Sequence, residues 1–427
     1  MSSKHREKLN QGPAAGCKVG GGFSRRSLFK GAAAATAALG AVSLAGCGSK
    51  GDEQQVSGEP QVITDDSKIV NVTEEFKSVD NPIAVQSAWD LPLGTVPFHS
   101  EGAWAALLEA PSSARSVNTL GIISLASGAR TTLIPQPIKG GAYGFHDVRC
   151  SETVYAWIEM NYAEASWVLL AQELQNGALA GEAVELDHGN ADWEPARFTV
   201  AGGNVIWQKM PLAAGSKRAE FSHCYSWAFG DAKAKDLYES PGRFATWPRA
   251  SGGYLTIAPR VSGEYLAIAP RVNTEEGTFY GITALDLDGG KMVDQLVMPQ
   301  NVSPFEAVYM NGTFAFSVEA NYGYGGGLGN MGTFIGREGG PFVYLSREPL
   351  ACVAGKGGRY LIKARSSHFV VDTEAKTYAI LPAPDKATDY GDYPASEGET
   401  DRFVTFATVR GDNGLPAAVQ VRVFPLA

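Results

Sequence analysis

The segment Asp192–Met210 reads DWEPARFTVAGGNVIWQKM and contains the pattern that decides the fold. An aromatic residue beside an acid and a proline leads into a short run of hydrophobic and β-branched residues. Two glycines follow, and a second run of the same kind comes after them. Two short apolar runs joined by a glycine turn are typical of a β-hairpin and not of a helix.

The second run of this hairpin has counterparts along the whole chain. Each counterpart begins at a turn residue and continues with β-branched or aromatic residues, and most are followed by further strand-like runs. No long amphipathic helix interrupts them. The seven copies are Ala103–Ala110, Thr153–Met160, Gly203–Met210, Gly253–Arg260, Gly312–Glu319, Gly358–Arg365 and Asp401–Thr408.

A second marker precedes each copy, and we call it the lead-in motif. It is an aromatic residue next to Pro, His or an acid, although the sixth motif lacks the aromatic. The motifs are centred on Phe98, Phe145, Trp193, Trp247, Phe305, Glu348 and Tyr393, with steps of 43 to 58 residues. The widest step contains a tandem duplication, Ser251–Val261 followed by Ser262–Val272.

A period of about 40–50 residues with about four short strands is typical of a β-propeller blade. One four-stranded sheet cannot bury both of its faces, so such repeats stack around a ring. The sequence therefore predicts an all-β protein with a single β-propeller over residues 67–427. Seven blades are expected, with six or eight as alternatives.

The last repeat is one strand short, because only Ala417–Pro425 follows its second strand. Ser67–Val72, which reads SKIVNV, is a strand candidate that belongs to no repeat. We predict that this N-terminal strand pairs into the last blade and closes the ring. Closure of this kind removes an exposed sheet edge.

Residues 1–46 have the arrangement of a signal peptide, with a basic start and a weakly apolar stretch. Arg25 and Arg26 lie in SRRSLFK, which resembles the twin-arginine export signal of bacteria. The apolar stretch ends in Leu44, Ala45, Gly46 and Cys47, which resemble the lipobox of bacterial lipoproteins. The resemblance implies partners of two kinds, the twin-arginine translocase and the enzymes that cleave before Cys47 and lipidate it.

Lipidation predicts where the mature chain lies. A diacylglyceryl group supplies the two acyl chains that stable anchoring requires. We expect an exported protein on the outer face of the bacterial cytoplasmic membrane, with residues 47–66 as a flexible polar tether. The mature chain keeps 29 basic and 44 acidic residues. Since an acidic membrane would repel that excess of negative charge, the lipid anchor must hold the protein there.

Two further resemblances concern the propeller. Asp192–Pro195 and the strands up to Trp207 resemble the blade pattern of periplasmic propellers of the TolB type. The chain from Cys47 onward is also similar to twin-arginine-exported propeller lipoproteins of actinobacteria. These resemblances imply a fold and a location, and they imply no activity.

Composition and motifs exclude several function classes. A net charge of −9 argues against nucleic acid as a partner. After processing, Cys150, Cys224 and Cys352 remain, and their wide spacing fits neither a zinc site nor a haem attachment. We therefore predict no metal and no cofactor. The sequence has no HExxH, GxSxG or phosphate-loop motif, so no catalytic residue is assigned.

The lead-in motifs are the best candidates for a ligand site. In a propeller, residues that enter the inner strands surround the mouth of the central channel, where ligands bind on a rigid frame. The alternative is that these side chains only pack between blades or stabilise turns. The ligand-binding candidates are His99, Phe145, His146, Asp147, Arg149, Asp192, Trp193, Glu194, Trp247, Arg249, Glu306 and Tyr393.

Two functions remain compatible with these residues. Aromatic rings beside acids and arginine suit a binding or scaffolding protein for a sugar, a peptide or a protein partner. The alternative is a polysaccharide hydrolase or lyase that uses two channel carboxylates from among Asp147, Asp192, Glu194 and Glu306. Because no catalytic motif is present, the sequence favours binding.

Overall fold

The computed structural model describes residues 69–80, 83–111, 113, 116–261, 279–323, 325–336, 340–385 and 392–426. The signal peptide, Cys47 and the tether of the sequence analysis lie outside these residues, as does the second copy of the tandem duplication. In the part of the chain that is described, no helix has the length and apolar character needed to cross a membrane.

The described residues form thirty-two strands and almost no helix. The first sixteen strands are β1 (Ile69–Asn71), β2 (Lys77–Ser78), β3 (Ser87–Leu91), β4 (Thr95–Glu101), β5 (Trp104–Glu109), β6 (Thr119–Ser124), β7 (Arg130–Ile134), β8 (Gly144–Cys150), β9 (Val154–Asn161), β10 (Ser166–Gln175), β11 (Ala178–Gly189), β12 (Arg197–Ala201), β13 (Asn204–Lys209), β14 (Ser222–Ala228), β15 (Lys235–Ser240) and β16 (Arg249–Ser251). The others are β17 (Tyr254–Ile257), β18 (Arg260–Val261), β19 (Phe279–Asp286), β20 (Met292–Val297), β21 (Glu306–Met310), β22 (Thr313–Val318), β23 (Gly332–Gly336), β24 (Phe342–Leu345), β25 (Ala354–Lys356), β26 (Arg359–Ala364), β27 (Ser367–Asp372), β28 (Thr377–Ile380), β29 (Tyr393–Pro394), β30 (Gly398–Glu399), β31 (Arg402–Arg410) and β32 (Pro416–Pro425). The helical elements are α1 (Val72–Glu75) and a 3-10 turn at Gly326–Gly329.

Hydrogen bonding groups the described strands into seven sheets. Sheets 1, 2 and 3 are the antiparallel sets β4–β7, β8–β11 and β12–β15. Sheet 4 is β16–β20, sheet 5 is β21–β24 with β1, and sheet 6 is β25–β28 with β2 and β30. Sheet 7 combines β29, β31 and β32 with β3 from the other end of the sequence.

The hydrophobic core is divided among the contacts between neighbouring sheets. Sheets 1 and 2 bury Ile122 and Trp157 against each other, and sheets 2 and 3 bury Trp167 and Trp207. Five further clusters join the remaining neighbours, including the contact of sheet 7 with sheet 1. Each sheet thus buries both faces against its neighbours around one ring, as stacked repeats require.

The prediction of a single all-β propeller is confirmed, and so is its repeat. The seven copies found in the sequence coincide with the second strand of each sheet. Among the described residues, six sheets each contain at least four strands that are consecutive in the sequence, and they form six blades, one of the predicted alternatives. The expected seventh blade is not confirmed by that count, because sheet 7 contains no such run of four strands and takes β3 from the other end of the sequence.

The segment Ser67–Val72 does not pair into the last sheet, so that prediction is wrong. Its described part, β1, lies parallel to β24 at the edge of sheet 5, with Ile69 opposite Phe342. The strand that joins the last sheet is β3, which runs antiparallel to β32 with Ser87 opposite Val423. The pairing of β3 with sheet 7 is stabilised by Leu91, which is buried in the contact between sheets 7 and 1.

The N-terminal segment instead lies along the edges of two adjacent sheets. After β1, Val72 at the start of helix α1 and Phe76 directly after the helix pack into the core between sheets 5 and 6. Strand β2 then pairs parallel to β28 at the edge of sheet 6. The segment therefore covers two sheet edges that would otherwise expose unpaired backbone groups.

Candidate functional site

The innermost strands of the sheets meet around the axis of the ring. One chain segment, Tyr393–Thr400, crosses between two of them. It starts as β29 beside β31 in sheet 7, and it ends as β30, parallel to β25 of sheet 6. Gly398 donates its backbone N–H to the carbonyl of Val353 at 2.8 Å. The segment therefore leaves its own sheet and enters the centre of the ring.

Glycine is required where this segment turns. Gly398 has φ +66°, and a Cβ placed there would lie 2.8 Å from the Cβ of Ser251. Glycine alone takes this left-handed conformation without steric cost. The amide of the next residue, Glu399, donates to Ser251 Oγ at 2.8 Å. This close approach to β16 directs the preceding side chain, Glu397, toward the axis.

The carboxylate of Glu397 contacts the inner strands of four sheets. It accepts hydrogen bonds from Arg149 Nη1 on β8 at 3.0 Å and from Thr199 Oγ1 on β12 at 3.2 Å. It also accepts one from Arg249 Nη1 on β16. His99 Nε2 on β4 lies 3.9 Å from the same carboxylate. A single group in contact with so many sheets must lie at the axis.

A second carboxylate completes the charge balance. Arg249 donates from Nε and Nη2 to the two oxygens of Glu306, at 3.0 and 2.8 Å. Two arginines and two glutamates thus compensate one another in the centre of the ring. Burial alone would raise the pKa of Glu397, but Arg249, Arg149 and His99 lower it to about 2. Burial would lower the pKa of Arg249, yet Glu306 and Glu397 raise it well above its ordinary value.

Aromatic rings cover the two arginines. The guanidinium of Arg149 lies 5.2 Å from the ring centre of Trp247 and 5.8 Å from that of Phe198. Arg249 lies 5.8 Å from the same Trp247 ring. Because cations are attracted to aromatic faces, Trp247 packs onto the charge cluster.

His99 is buried, with 3% of its surface exposed, yet it lines a cavity at the axis. Its Nδ1 lies 2.9 Å from the carbonyl oxygen of Cys150, so Nδ1 carries the proton and donates it. Burial lowers the pKa of His99 to about 4, although Glu397 opposes the effect. The imidazole is therefore neutral at pH 7, and its Nε2 is an acceptor.

The cavity has a volume of about 760 Å³, within the usual range of ligand sites. The turns between the first and second strands of sheets 1 to 4 form its wall, together with the β19–β20 turn and the end of the crossing segment. Its lining includes seven carboxylates and one arginine, Arg402. The acidic residues are Glu101, Glu152, Asp286, Asp288, Glu397, Glu399 and Asp401.

Two glycines let acidic side chains lie against the wall of this cavity. Gly102 has φ +60°, and a Cβ there would lie 2.5 Å from Oε1 of Glu152. Gly252 has φ +55°, and a Cβ there would lie 2.7 Å from Oε2 of Glu399. The glycines of these tight turns thus provide the space that the two carboxylates occupy.

Glu101 is a partly buried acid of the cavity wall. Burial raises its pKa to about 7, against a hydrogen bond from the Gly202 amide and with the help of Glu152 and Glu397. Within the described residues, ion pairs reach Glu397 and Asp401 but none of the other five cavity acids. Among the described residues, the cavity lining therefore carries a net negative charge, with seven carboxylates against the one arginine, Arg402.

The structure brings five predicted site residues to the axial cluster, namely His99, Asp147, Arg149, Arg249 and Glu306, with Trp247 above them. Burial raises the pKa of Asp147 against the influence of Arg149. His99 is the one of the twelve predicted residues that lines the cavity.

The contacts of the other predicted site residues lie outside the axial cluster. Phe145 packs in the core between sheets 1 and 2. His146 contacts Tyr162 at the surface, and Trp193 lies beside two lysines. Asp192 bonds to Ser216, Glu194 pairs with two arginines, and Tyr393 covers Lys363. These residues form no common aromatic surface.

Sequence reasoning missed Glu397 and the other acids of the cavity wall, although Asp401 is the first residue of the seventh strand copy. Glu397 follows the seventh lead-in motif by four residues, as Arg149 follows Phe145. The available signal was Gly398, since an isolated glycine in a strand region marks a close backbone approach. The wall acids sit in glycine turns, which alone indicate only a hairpin.

One group of three potential metal ligands occurs among the described residues, away from the cavity. His223 on β14 lies with Asp236 and Glu239 on β15, with ligand atoms within 4.8 Å of one another. His223 Nδ1 and Asp236 Oδ2 are 2.7 Å apart. The three cysteines of the described residues, Cys150, Cys224 and Cys352, are buried free thiols.

No family model matches the sequence, and no curated protein matches it. Solved structures do match. The β-propeller domain of the Trilobed protease from Pyrococcus furiosus aligns at 10% identity over 81% of this chain and 97% of that chain, with a TM-score of 0.50. The polysaccharide lyase Uly1 aligns at 8% identity over 81% and 100%, with a TM-score of 0.50.

A prolyl endopeptidase aligns at 12% identity over 75% of this chain, with a TM-score of 0.48. The match spans 46% of that enzyme, so about half of its length has no counterpart here. At these identities, the matches with a TM-score of 0.50 show a shared propeller fold and nothing about activity.

Proposed function

We propose that the protein is a lipid-anchored, extracytoplasmic binding protein whose ligand occupies the axial cavity. The observation that carries this proposal is the cavity of about 760 Å³ at the centre of a rigid ring. Its floor is fixed, because Glu397 is bonded to Arg149 and Arg249. A preformed concave site with converging polar groups is where ligands bind in folds of this kind.

The contacts of the carboxylates considered for hydrolysis support binding over catalysis. Of the carboxylates considered for hydrolysis, Glu306 is held by Arg249 and Glu194 by Arg243. Asp147 is buried beside Arg149. These groups maintain the geometry of the ring and have no open side toward the cavity.

Binding is tested with the full-length protein in detergent on peptide and glycan arrays. Ala201 lies on the cavity wall, so Ala201→Trp fills part of the cavity. Ala178 is exposed at a hairpin turn elsewhere, so Ala178→Trp is the matched control. We expect at least one array ligand that binds to the wild type and to Ala178→Trp but not to Ala201→Trp. The absence of any such ligand would refute the proposal.

Export and anchoring have their own test. In a host with a twin-arginine pathway, replacing both Arg25 and Arg26 with lysine should leave the protein in the cytoplasm. Cys47→Ser should abolish incorporation of a labelled fatty acid and release the protein from membranes. Cys17→Ser, which precedes the export motif, should change neither. Continued lipid labelling of Cys47→Ser would exclude the proposed anchor.

We further propose that sheet 7 acts as a seventh blade. Its support is the packing of Phe403 against sheet 6 and of Val404 against sheet 1, as in the other neighbouring pairs. Strand β3 then has the role that the sequence analysis gave to Ser67–Val72.

A polysaccharide hydrolase or lyase is the alternative function, and Glu101 is the observation that favours it. A carboxyl group with a pKa of about 7 at a cavity wall can serve as a general acid near neutral pH. Incubation with a panel of polysaccharides would show new reducing ends or unsaturated products. Products that form with wild type but not with Glu101→Gln would establish the alternative.

A further inference from the structure

The lining of the axial cavity is strongly acidic. Seven carboxylates and one arginine line it, and five of those carboxylates have no ion pair within the described residues. Like charges that line one cavity repel one another. A bound cation would remove that cost.

A second observation at the same place is His99. This side chain is 97% buried and lines the cavity, and its Nδ1–H is already donated to Cys150. Its Nε2 is thus an acceptor, and among the described residues it has no hydrogen-bond partner, since Glu397 lies 3.9 Å away. Because this acceptor lines the cavity and has no partner among the described residues, it is open to a hydrogen bond from a ligand N–H.

The arrangement of the acids argues against a single metal ion. Three metal-ligand atoms within 4.8 Å occur, in the described part of the chain, only at His223, Asp236 and Glu239 on sheet 3. The cavity acids are spread instead over turns of sheets 1, 2 and 4 and over the crossing segment. Spread charges match a ligand that carries several cationic groups along its length.

We infer that the axial cavity binds a flexible polycation, a ligand with two or more ammonium or guanidinium groups. One group donates a hydrogen bond to His99 Nε2 near the floor. The others lie against Glu101, Glu152 and the acids of the β19–β20 turn. This inference rests on the proposed binding function and names the ligand class of that same cavity. A free polyamine and a basic peptide segment share the required chemistry.

The test measures binding to full-length protein in detergent by titration calorimetry. The probes are spermine, a tetralysine peptide and the same peptide with every lysine acetylated. We expect the two cationic probes to bind and the acetylated peptide to bind at least tenfold more weakly. Spermine binding alone would identify a free polyamine, and tighter binding of tetralysine would identify a peptide.

Variants separate the cavity from the general negative charge of the protein. Glu101→Gln and the exposed turn variant Asp288→Asn should each weaken spermine binding about three- to tenfold. His99→Asn, which keeps a donor toward Cys150, should do the same. Glu220→Gln removes an exposed acid outside the cavity and should have no effect. Equal weakening by all four variants would show nonspecific attraction and overturn the inference.

The outcomes distinguish this inference from the proposed function. If the array ligands are neutral or anionic and Ala201→Trp abolishes their binding, the proposed binding function stands and the inference of a polycationic ligand is overturned. Failure of every array ligand and of both cationic probes would overturn both.

Discussion

The carboxylate of Glu397 accepts a 3.0 Å hydrogen bond from the guanidinium of Arg149, which lies 248 residues earlier in the sequence. The two residues come from opposite ends of the repeat array and meet at its axis. Their contact fixes the position of the crossing segment Tyr393–Thr400 and, with it, the floor of the cavity. The hydrogen bond between Arg149 and Glu397 thus fixes the floor of the proposed binding site.

The first prediction concerns Glu397 itself. Glu397→Gln keeps the shape of the side chain but removes the buried negative charge that Arg149 and Arg249 share. Removal of one partner from a buried ion pair costs about 3–5 kcal/mol. We expect a loss of that order in the free energy of unfolding, measured by urea denaturation. Glu220→Gln, which breaks an exposed pair with Lys217, should cost less than about 1 kcal/mol. Equal losses in the two variants would contradict the role of the axial network.

The second prediction concerns His99 and pH. Its pKa is about 4 in the folded protein, below the ordinary value of 6.5. Between these values the unfolded chain binds a proton that the folded chain does not, so stability falls as the pH decreases from 6.5 to 4. A shift of this size corresponds to about 3 kcal/mol.

His99→Asn removes this titration while keeping a donor for the carbonyl of Cys150. The stability difference between wild type and His99→Asn should therefore change by about 3 kcal/mol between pH 6.5 and pH 4. Denaturation at a series of pH values measures this difference. A difference that does not vary with pH would show that His99 is not held neutral by burial.

The third prediction tests the closure of the ring by β3. Leu91 is buried between sheets 7 and 1, whereas Leu93 lies just beyond the strand and is 44% exposed. Leu91→Ala should cost about 2–5 kcal/mol, because it leaves a cavity in a packed contact. Leu93→Ala should cost less than about 1 kcal/mol. Thermal or urea denaturation measures both, and a small effect of Leu91→Ala would argue against closure.

The fourth prediction uses two glycines with the same backbone conformation. Gly102 and Gly312 have φ +60° and +69°, but a Cβ would clash with Glu152 only at Gly102 and would meet no atom within 4 Å at Gly312. Replacement with alanine should cost about 1 kcal/mol in both from the left-handed backbone. Only Gly102→Ala should also displace Glu152 and weaken spermine binding. If Gly102→Ala binds spermine as tightly as the wild type does, Glu152 does not contribute to the ligand site.

Much of the fold follows from local pattern. The seven second strands were located to within a few residues, because an alternation of glycine turns with β-branched and aromatic runs is a property of each hairpin. The blade count and the closing strand were not determined in this way. Ser67–Val72 and Ser87–Leu91 are both short apolar segments, and only packing partners distinguish them. Leu91 packs into the core between sheets 7 and 1, whereas Ile69 pairs with Phe342 at the edge of sheet 5.

The candidate site, too, was predicted from the sequence only in part. The sequence by itself determined that His99, Asp147, Arg149, Arg249 and Glu306 enter inner strands, because each follows a lead-in motif. Only the tertiary structure decided that Glu397 joins them and that the acids of separate turns surround one cavity. The physical reason is that a hairpin specifies its own strands through local backbone geometry. The axis is formed by residues far apart in sequence, and their charges interact only after the ring has closed.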